Sequence, residues 1–235
     1  MPRYNAVDLT DPECNDWNRG SKQTLTPYDL HRFAGGTLVD AVGRTVCAAS
    51  CLPRKELFES WEVARRVLRR ARGGPVLDLA CGHGLVGWLV ALLDRQTPNV
   101  TCVDTRLPDS AKRLSAALGA RWPEVGARVR YLEAPLDASP IDSTARVLAI
   151  HACGALTDYA LDLTLAARAR FAALPCCHSH RKLDDGGLSG WMPSAVAIDS
   201  TRVWRLRQAG YRVWTSTIDN DITPQNRLMV ALPKP

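Results

Sequence analysis

The sequence predicts an α/β fold in which a mostly parallel sheet is wound on both faces by helices and ends in an antiparallel hairpin. Three observations predict it. From residue 74 onward, short apolar runs alternate with segments of helical periodicity, the pattern of βαβ units. One of these runs, Pro75-Val-Leu-Asp-Leu-Ala, passes straight into a glycine turn, Cys-Gly-His-Gly84, and then into an apolar helical segment. The last two runs are joined only by residues 219–226, too few for a crossover helix, so they must pair antiparallel.

Taken in order, residues 5–22 are polar and are expected to be irregular. Residues 54–72 place Leu57, Phe58, Trp61, Ala64, Leu68 and Ala71 at helical spacing, with Arg65, Arg66, Arg69, Arg70 and Arg72 on the other face. An amphipathic helix capping the sheet is the simplest reading of that pattern, and a nucleic-acid contact is the richer one. Cys47 and Cys51 read as two buried residues one helical turn apart. Strands are expected at 75–80, 100–104, 128–133, 146–151, 171–176, 211–218 and 227–232, because each is a short apolar run bounded by turn residues. Helices are expected to begin near Gly84, Pro108, Leu156 and Ser194, with a polar connection over 134–144. Trp61, Trp88, Trp204 and Trp214 fall at core spacing. The division that follows is an N-terminal extension and helical cap, 1–72, and an α/β sheet domain, 73–235.

Composition excludes several classes. With 235 residues, 46% hydrophobic and 23% charged, the chain has material for one sizeable core and is not a disordered tail. Its longest apolar run, residues 85–93, falls far short of the roughly 20 residues that span a bilayer, so no membrane partner is expected. Residues 1–10 show no basic segment followed by an apolar one, so a cytoplasmic location with the eight cysteines reduced is the expectation. The net charge of +6 suits a polyanionic partner such as RNA.

The glycine turn carries the first chemical signal. Gly82 and Gly84 allow the backbone to approach a ligand, and the helix start presents free N–H groups, yet the third glycine of a dinucleotide fingerprint is missing. About twenty residues on, the strand Val-Thr-Cys-Val-Asp104 ends in a carboxylate that can accept hydrogen bonds from two ribose hydroxyls. The pattern D-x-A-x-G-x-G, made by Asp78, Ala80, Gly82 and Gly84, together with Asp104, resembles the first two motifs of class I S-adenosylmethionine-dependent methyltransferases. The resemblance implies a Rossmann-like fold with a seven-stranded sheet and S-adenosyl-L-methionine as cofactor. It also implies that Asp137, in the loop after the third strand, meets the adenine amino group.

Two further segments lie at the carboxyl ends of neighbouring strands, the edge where open α/β sheets bind ligands. They are His151-Ala-Cys-Gly-Ala-Leu-Thr-Asp158 and Leu174-Pro-Cys-Cys-His178. The pair H-x-C-G-x-x-T-D and L-x-C-C-H looks like the acceptor-stem tRNA 2′-O-methyltransferase family and related methyltransferase-like proteins. The likeness covers residues 54–182 and includes Lys55-Glu-Leu-Phe-Glu59, similar to a lysine-glutamate signature ahead of the cofactor loop. It implies methyl transfer, with RNA as partner and tRNA favoured, and makes Lys55 a candidate substrate contact.

Direct transfer to a ribose hydroxyl needs a base, and His151 is the candidate, since an imidazole with an ordinary pKa of about 6.5 suits neutral pH. Asp158 or Cys153 could orient it. A covalent route would use Cys176 or Cys177 activated by His178. Zinc held by Cys176, Cys177, His178 and His180 with Cys153 or His151 is the weaker alternative, because no C-x-x-C spacing occurs, and no metal is assigned. Arg181, Gln225, Asn226 and Arg227 are candidate substrate contacts, placed to read a base edge or a phosphate, and Trp191 in the glycine-rich segment 180–191 could stack on a base. A small-molecule methyltransferase and a non-catalytic cofactor-binding module are the rival functions.

Overall fold

The structure, a computed structural model, describes residues 17–178 and 182–234. Seven strands form one sheet: β1 (Val76–Leu79), β2 (Val100–Asp104), β3 (Val129–Glu133), β4 (Arg146–Ile150), β5 (Arg170–Leu174), β6 (Tyr211–Thr217) and β7 (Arg227–Pro233). Their spatial order is β3-β2-β1-β4-β5-β7-β6. β7 runs antiparallel to both of its neighbours and all other pairs are parallel.

Each expected strand is present, and the differences at their ends have local causes. β1 and β4 stop one residue or so early because Ala80 and His151 take left-handed backbone, φ 54° and 58°. β5 stops at Leu174 because Pro175 has no N–H to give the ladder.

Alternate residues of the strands feed two apolar layers, as a sheet covered on both faces requires. One layer joins Val76, Val100, Cys102, Leu148 and Val230 to the helices α1 (Leu38–Ala49), α2 (Arg54–Leu68), α3 (Leu85–Leu93) and α4 (Asp109–Arg121). The other joins Leu77, Leu79, Val147, Ala149 and Phe171 to α6 (Ala155–Ala167) and α7 (Ser194–Gln208). A single turn, α5 (Pro123–Gly126), precedes β3.

The N-terminal extension shares the first layer, with Trp17, Leu25 and Phe33 in the same apolar cluster as α2 and the sheet. Helix α1 has no counterpart in the sequence reading; Cys47 is buried within it, whereas Cys51 lies past its left-handed cap, Ser50. Helix α2 ends at Leu68 rather than at residue 72, because Arg146 draws the following turn onto the sheet. The Arg146 side chain is buried and donates to the carbonyls of Ala71 at 3.0 Å and Gly74 at 3.2 Å while pairing with Asp94 at 3.1 Å. Trp204, expected in the core, is 60% exposed on α7. The arginines of α2 are partly spoken for: Glu62 pairs with Arg65 and Arg66, and Arg70 stacks over the Trp214 ring at 5.2 Å.

Candidate active site

The strand order reverses between β1 and β4, and in an open α/β sheet a crevice opens at that point beyond the strands' carboxyl ends. Ala80 and His151, which follow those two strands, are the left-handed residues named above. Such backbone costs a non-glycine residue roughly 1–2 kcal/mol and is kept where the surroundings demand it. Between them lies a cavity of about 240 Å³ lined by Glu56, Glu59, Asp78, Gly82, His83 and His151.

The glycine turn forms one wall. Gly84 has φ +74° and sits so close to Tyr131 that a Cβ there would meet the phenol oxygen at 2.5 Å. Tyr131 also donates its hydroxyl to the His83 carbonyl at 2.9 Å, clamping the turn. Space opposite Gly82 is open. Asp104, at the end of β2, accepts the Gly82 N–H at 2.9 Å, so it stands beside the glycine turn. Asp78 is buried on β1 and accepts the Gly87 N–H at 3.1 Å. Burial pushes its carboxyl up to about 7; the Gly87 hydrogen bond works against this and the Asp104 charge adds to it.

Helix α2 supplies the other wall. Glu59 is buried, with Oε2 2.7 Å from His151 Nε2 and accepting from Lys55 Nζ at 3.0 Å. His151 Nε2 nevertheless makes no hydrogen bond, and Glu59 Oε1 is likewise buried with no partner. Glu56 lies 3.4 Å from His83, whose hydrogen bond holds the Glu56 carboxyl down at about 2. The crevice is thus acidic and keeps an unsatisfied acceptor. Glu56 and Glu59 are not among the site residues expected from the sequence; their spacing of three on one helix face was the available signal.

Several expected site residues serve elsewhere. Asp158 does not orient His151: its carboxylate is taken by Arg202, at 2.6 and 3.1 Å, and by Arg205 at 3.4 Å. His178 does not activate a cysteine: its side chain is 4% exposed and pairs with Asp199 at 2.9 Å. Arg227 also donates to Asp199, at 2.7 Å, and Arg202 pairs with the same carboxylate at 3.1 Å. Burial works to raise Asp199, but the hydrogen bonds from His178 and Arg227 hold it below the usual carboxylate range. Asp158, His178 and Arg227 therefore belong to one ion network that fastens α6, α7, β7 and the loop after β5. Asn226 is buried, donating to the Ile218 carbonyl at 2.9 Å and to Asn220 at 2.6 Å, so it shapes the hairpin rather than reading a substrate. Gln225 is exposed. Lys55 faces Glu59 within the site, and Arg181 and His180 lie outside the described residues.

Asp137 sits in a 3-10 turn, Leu136–Ala138, and accepts a hydrogen bond from the exposed Tyr159 hydroxyl, which pushes that phenol up. Cys153 and Cys177 are exposed and converge with Cys176. Burial, and then the neighbouring thiols, push Cys176 up, the opposite of what a nucleophilic thiolate needs.

Residues 56–182, more than half of the chain, match the protein family described as Methyltransferase domain. The chain belongs to that family. No curated protein matches this methyltransferase by sequence. Among solved structures it is similar to a proposed caffeoyl-CoA O-methyltransferase of Staphylococcus aureus, with TM-score 0.50 and 12% identity over 88% of this chain and 97% of that one. A proposed O-methyltransferase of Nostoc punctiforme gives TM-score 0.50 and 16% identity over 87% and 67%. The precorrin-6y C5,15-methyltransferase of Geobacter metallireducens gives 0.49 and 13% over 74% and 87%. At these identities the first two likenesses show the Rossmann-like methyltransferase fold. No described helix is long and apolar enough to cross a membrane.

Proposed function

We propose that this chain transfers a methyl group from S-adenosyl-L-methionine to an RNA hydroxyl, a tRNA ribose 2′-oxygen being the favoured acceptor. The observation that carries the reading is the acidic crevice at the β1/β4 reversal, which sets His151 beside a buried glutamate. The cofactor fits the residues present: the unpartnered Glu59 Oε1, with Asp78 and Glu56, suits a ligand bearing an ammonium and a sulfonium, and Asp104 suits a ribose diol. Ala80, Gly82 and Gly84 would let the backbone close on it, and Asp137 would face its adenine. When bound, S-adenosyl-L-methionine supplies an electrophilic methyl carbon.

The rest is done by the chain. His151 takes the proton of the attacking hydroxyl, and Glu59, 2.7 Å away, stabilises the imidazolium that results. Lys55 holds Glu59 in place. RNA is supported by the net charge of +6, by Arg69 and Arg70 exposed at the end of α2, and by the Trp191 ring, 87% exposed and able to stack on a base. We divide the chain into an extension and cap, 1–72, and a cofactor domain, 73–235; the cap then contributes Glu56 and Glu59 to the site.

The test is transfer of labelled methyl from S-adenosyl-L-methionine to total small RNA, beside a protein-free metabolite extract. His151→Asn is the control, because asparagine tolerates left-handed backbone. Label in RNA that His151→Asn abolishes is the expected result. Label confined to metabolites overturns the RNA acceptor, and label unaffected by His151→Asn removes the base.

A further inference from the structure

Cys153, Cys176 and Cys177 bring three sulfurs from two different loops to one point. Their Sγ atoms are 3.1 Å apart for Cys153 and Cys176, 3.4 Å for Cys153 and Cys177, and 3.5 Å for Cys176 and Cys177. Adjacent cysteines chelate one ion poorly on extended backbone, where neighbouring side chains point to opposite faces. Here the strand has ended at Leu174, Pro175 follows, and both sulfurs turn to the same side. On the other loop, Gly154 has φ 60° and ψ −127°, backbone open essentially to glycine, and this directs the chain from Cys153 into α6.

We propose that these three cysteines form a binding site for a thiophilic d10 cation, zinc being the probe, at the carboxyl ends of β4 and β5. Zinc–sulfur bonds of about 2.3 Å in tetrahedral geometry put sulfurs about 3.8 Å apart, so the cluster needs to widen by less than about 1 Å at each pair, most between Cys153 and Cys176. Each thiol gives its proton to the buffer as its bond to the metal forms, and the fourth position is left to water or another ligand. A disulfide would use two of the sulfurs and leave the third unexplained; three convergent sulfurs are what a cation uses. A second ligand group, Glu56, Glu59 and His151, lies in the crevice, but it offers oxygen and nitrogen donors, so the two can be told apart spectroscopically. A bound ion would tie the loop that follows His151 to the loop after β5 and fix the acceptor side of the crevice.

The experiment is cobalt(II) titration of the freshly reduced, desalted full chain under argon. The expected result is a near-ultraviolet thiolate-to-cobalt band that saturates at one equivalent, shows tetrahedral visible bands and is bleached by zinc. Cys153→Ser and Cys177→Ser should each reduce the affinity at least tenfold, while Cys51→Ser and Glu59→Gln leave it unchanged. A readout that needs no variant is zinc protection of Cys153 and Cys177 from iodoacetamide, followed by mass spectrometry. Absence of the thiolate band, its survival in both serine variants, or a disulfide among these cysteines that forms in preference to the metal complex overturns the proposal. None of these readouts depends on methyl transfer.

Discussion

Asp78→Asn offers a quantitative test of the buried carboxyl beneath the crevice. In the folded chain burial pushes Asp78 up to about 7, whereas in the unfolded chain a carboxyl titrates near 3.9. Between those values the folded state binds a proton that the unfolded state does not, so stability must fall as pH rises through the interval. From pH 5 to pH 8 the loss works out at on the order of 2–3 kcal/mol, at about 1.4 kcal/mol for each pH unit below 7. Asparagine is nearly isosteric and its amide oxygen can still accept the Gly87 N–H, so the variant keeps the packing and lacks the titration. Glu56, held at about 2, stays ionised across the whole window and adds no slope. Urea unfolding of both proteins at half-unit steps from pH 5 to 8 measures the difference directly. Wild-type stability should drop by 2–3 kcal/mol relative to the variant, most of it below pH 7. Parallel curves would refute the reasoning, since they would mean that Asp78 is already ionised at pH 5.

Three further perturbations follow from particular contacts. Gly84→Ala places a Cβ against the Tyr131 hydroxyl on left-handed backbone; it should destabilise the chain by about 1–3 kcal/mol in denaturant and reduce cofactor affinity, and a neutral variant would contradict the clamp. Arg146→Met leaves Asp94 as a buried charge and two carbonyls short of a donor, so thermal unfolding should show a loss on the order of 3–5 kcal/mol, against less than 1 if the pair is dispensable. Arg168→Gly acts in the opposite direction. The left-handed cap of α6, φ 52°, suits glycine, and urea midpoints should rise by the equivalent of about 1 kcal/mol; a fall would mean that the side chain matters more than the backbone.

The sheet was legible because buried parallel strands are short apolar runs, and the glycine turn with Asp104 was legible because both chemistry and spacing are local. Contacts made across long sequence distances were not. Glu59 meets His151 only when α2 packs over the crevice, ninety-odd residues away in the chain. Asp158 and His178 looked catalytic from their neighbours in sequence, and Arg202 and Asp199, far along the chain, turned them into framework. Helix α1 did carry a readable start, Thr37 with Asp40 three residues on, a capping box whose side chain and backbone bonds both form. The five-arginine face read from α2 was too simple, because Glu62 neutralises two members and Trp214 stacks on a third.

Calorimetric titration of S-adenosyl-L-methionine into the wild-type chain and into Asp104→Ala tests the assignment of the crevice most directly. The account predicts saturable binding at one site. It also predicts at least a tenfold loss in the variant, since hydrogen bonds to a charged acceptor contribute about 1.5–3 kcal/mol each. Equal affinity in the two proteins, or no binding to the wild type, would contradict it.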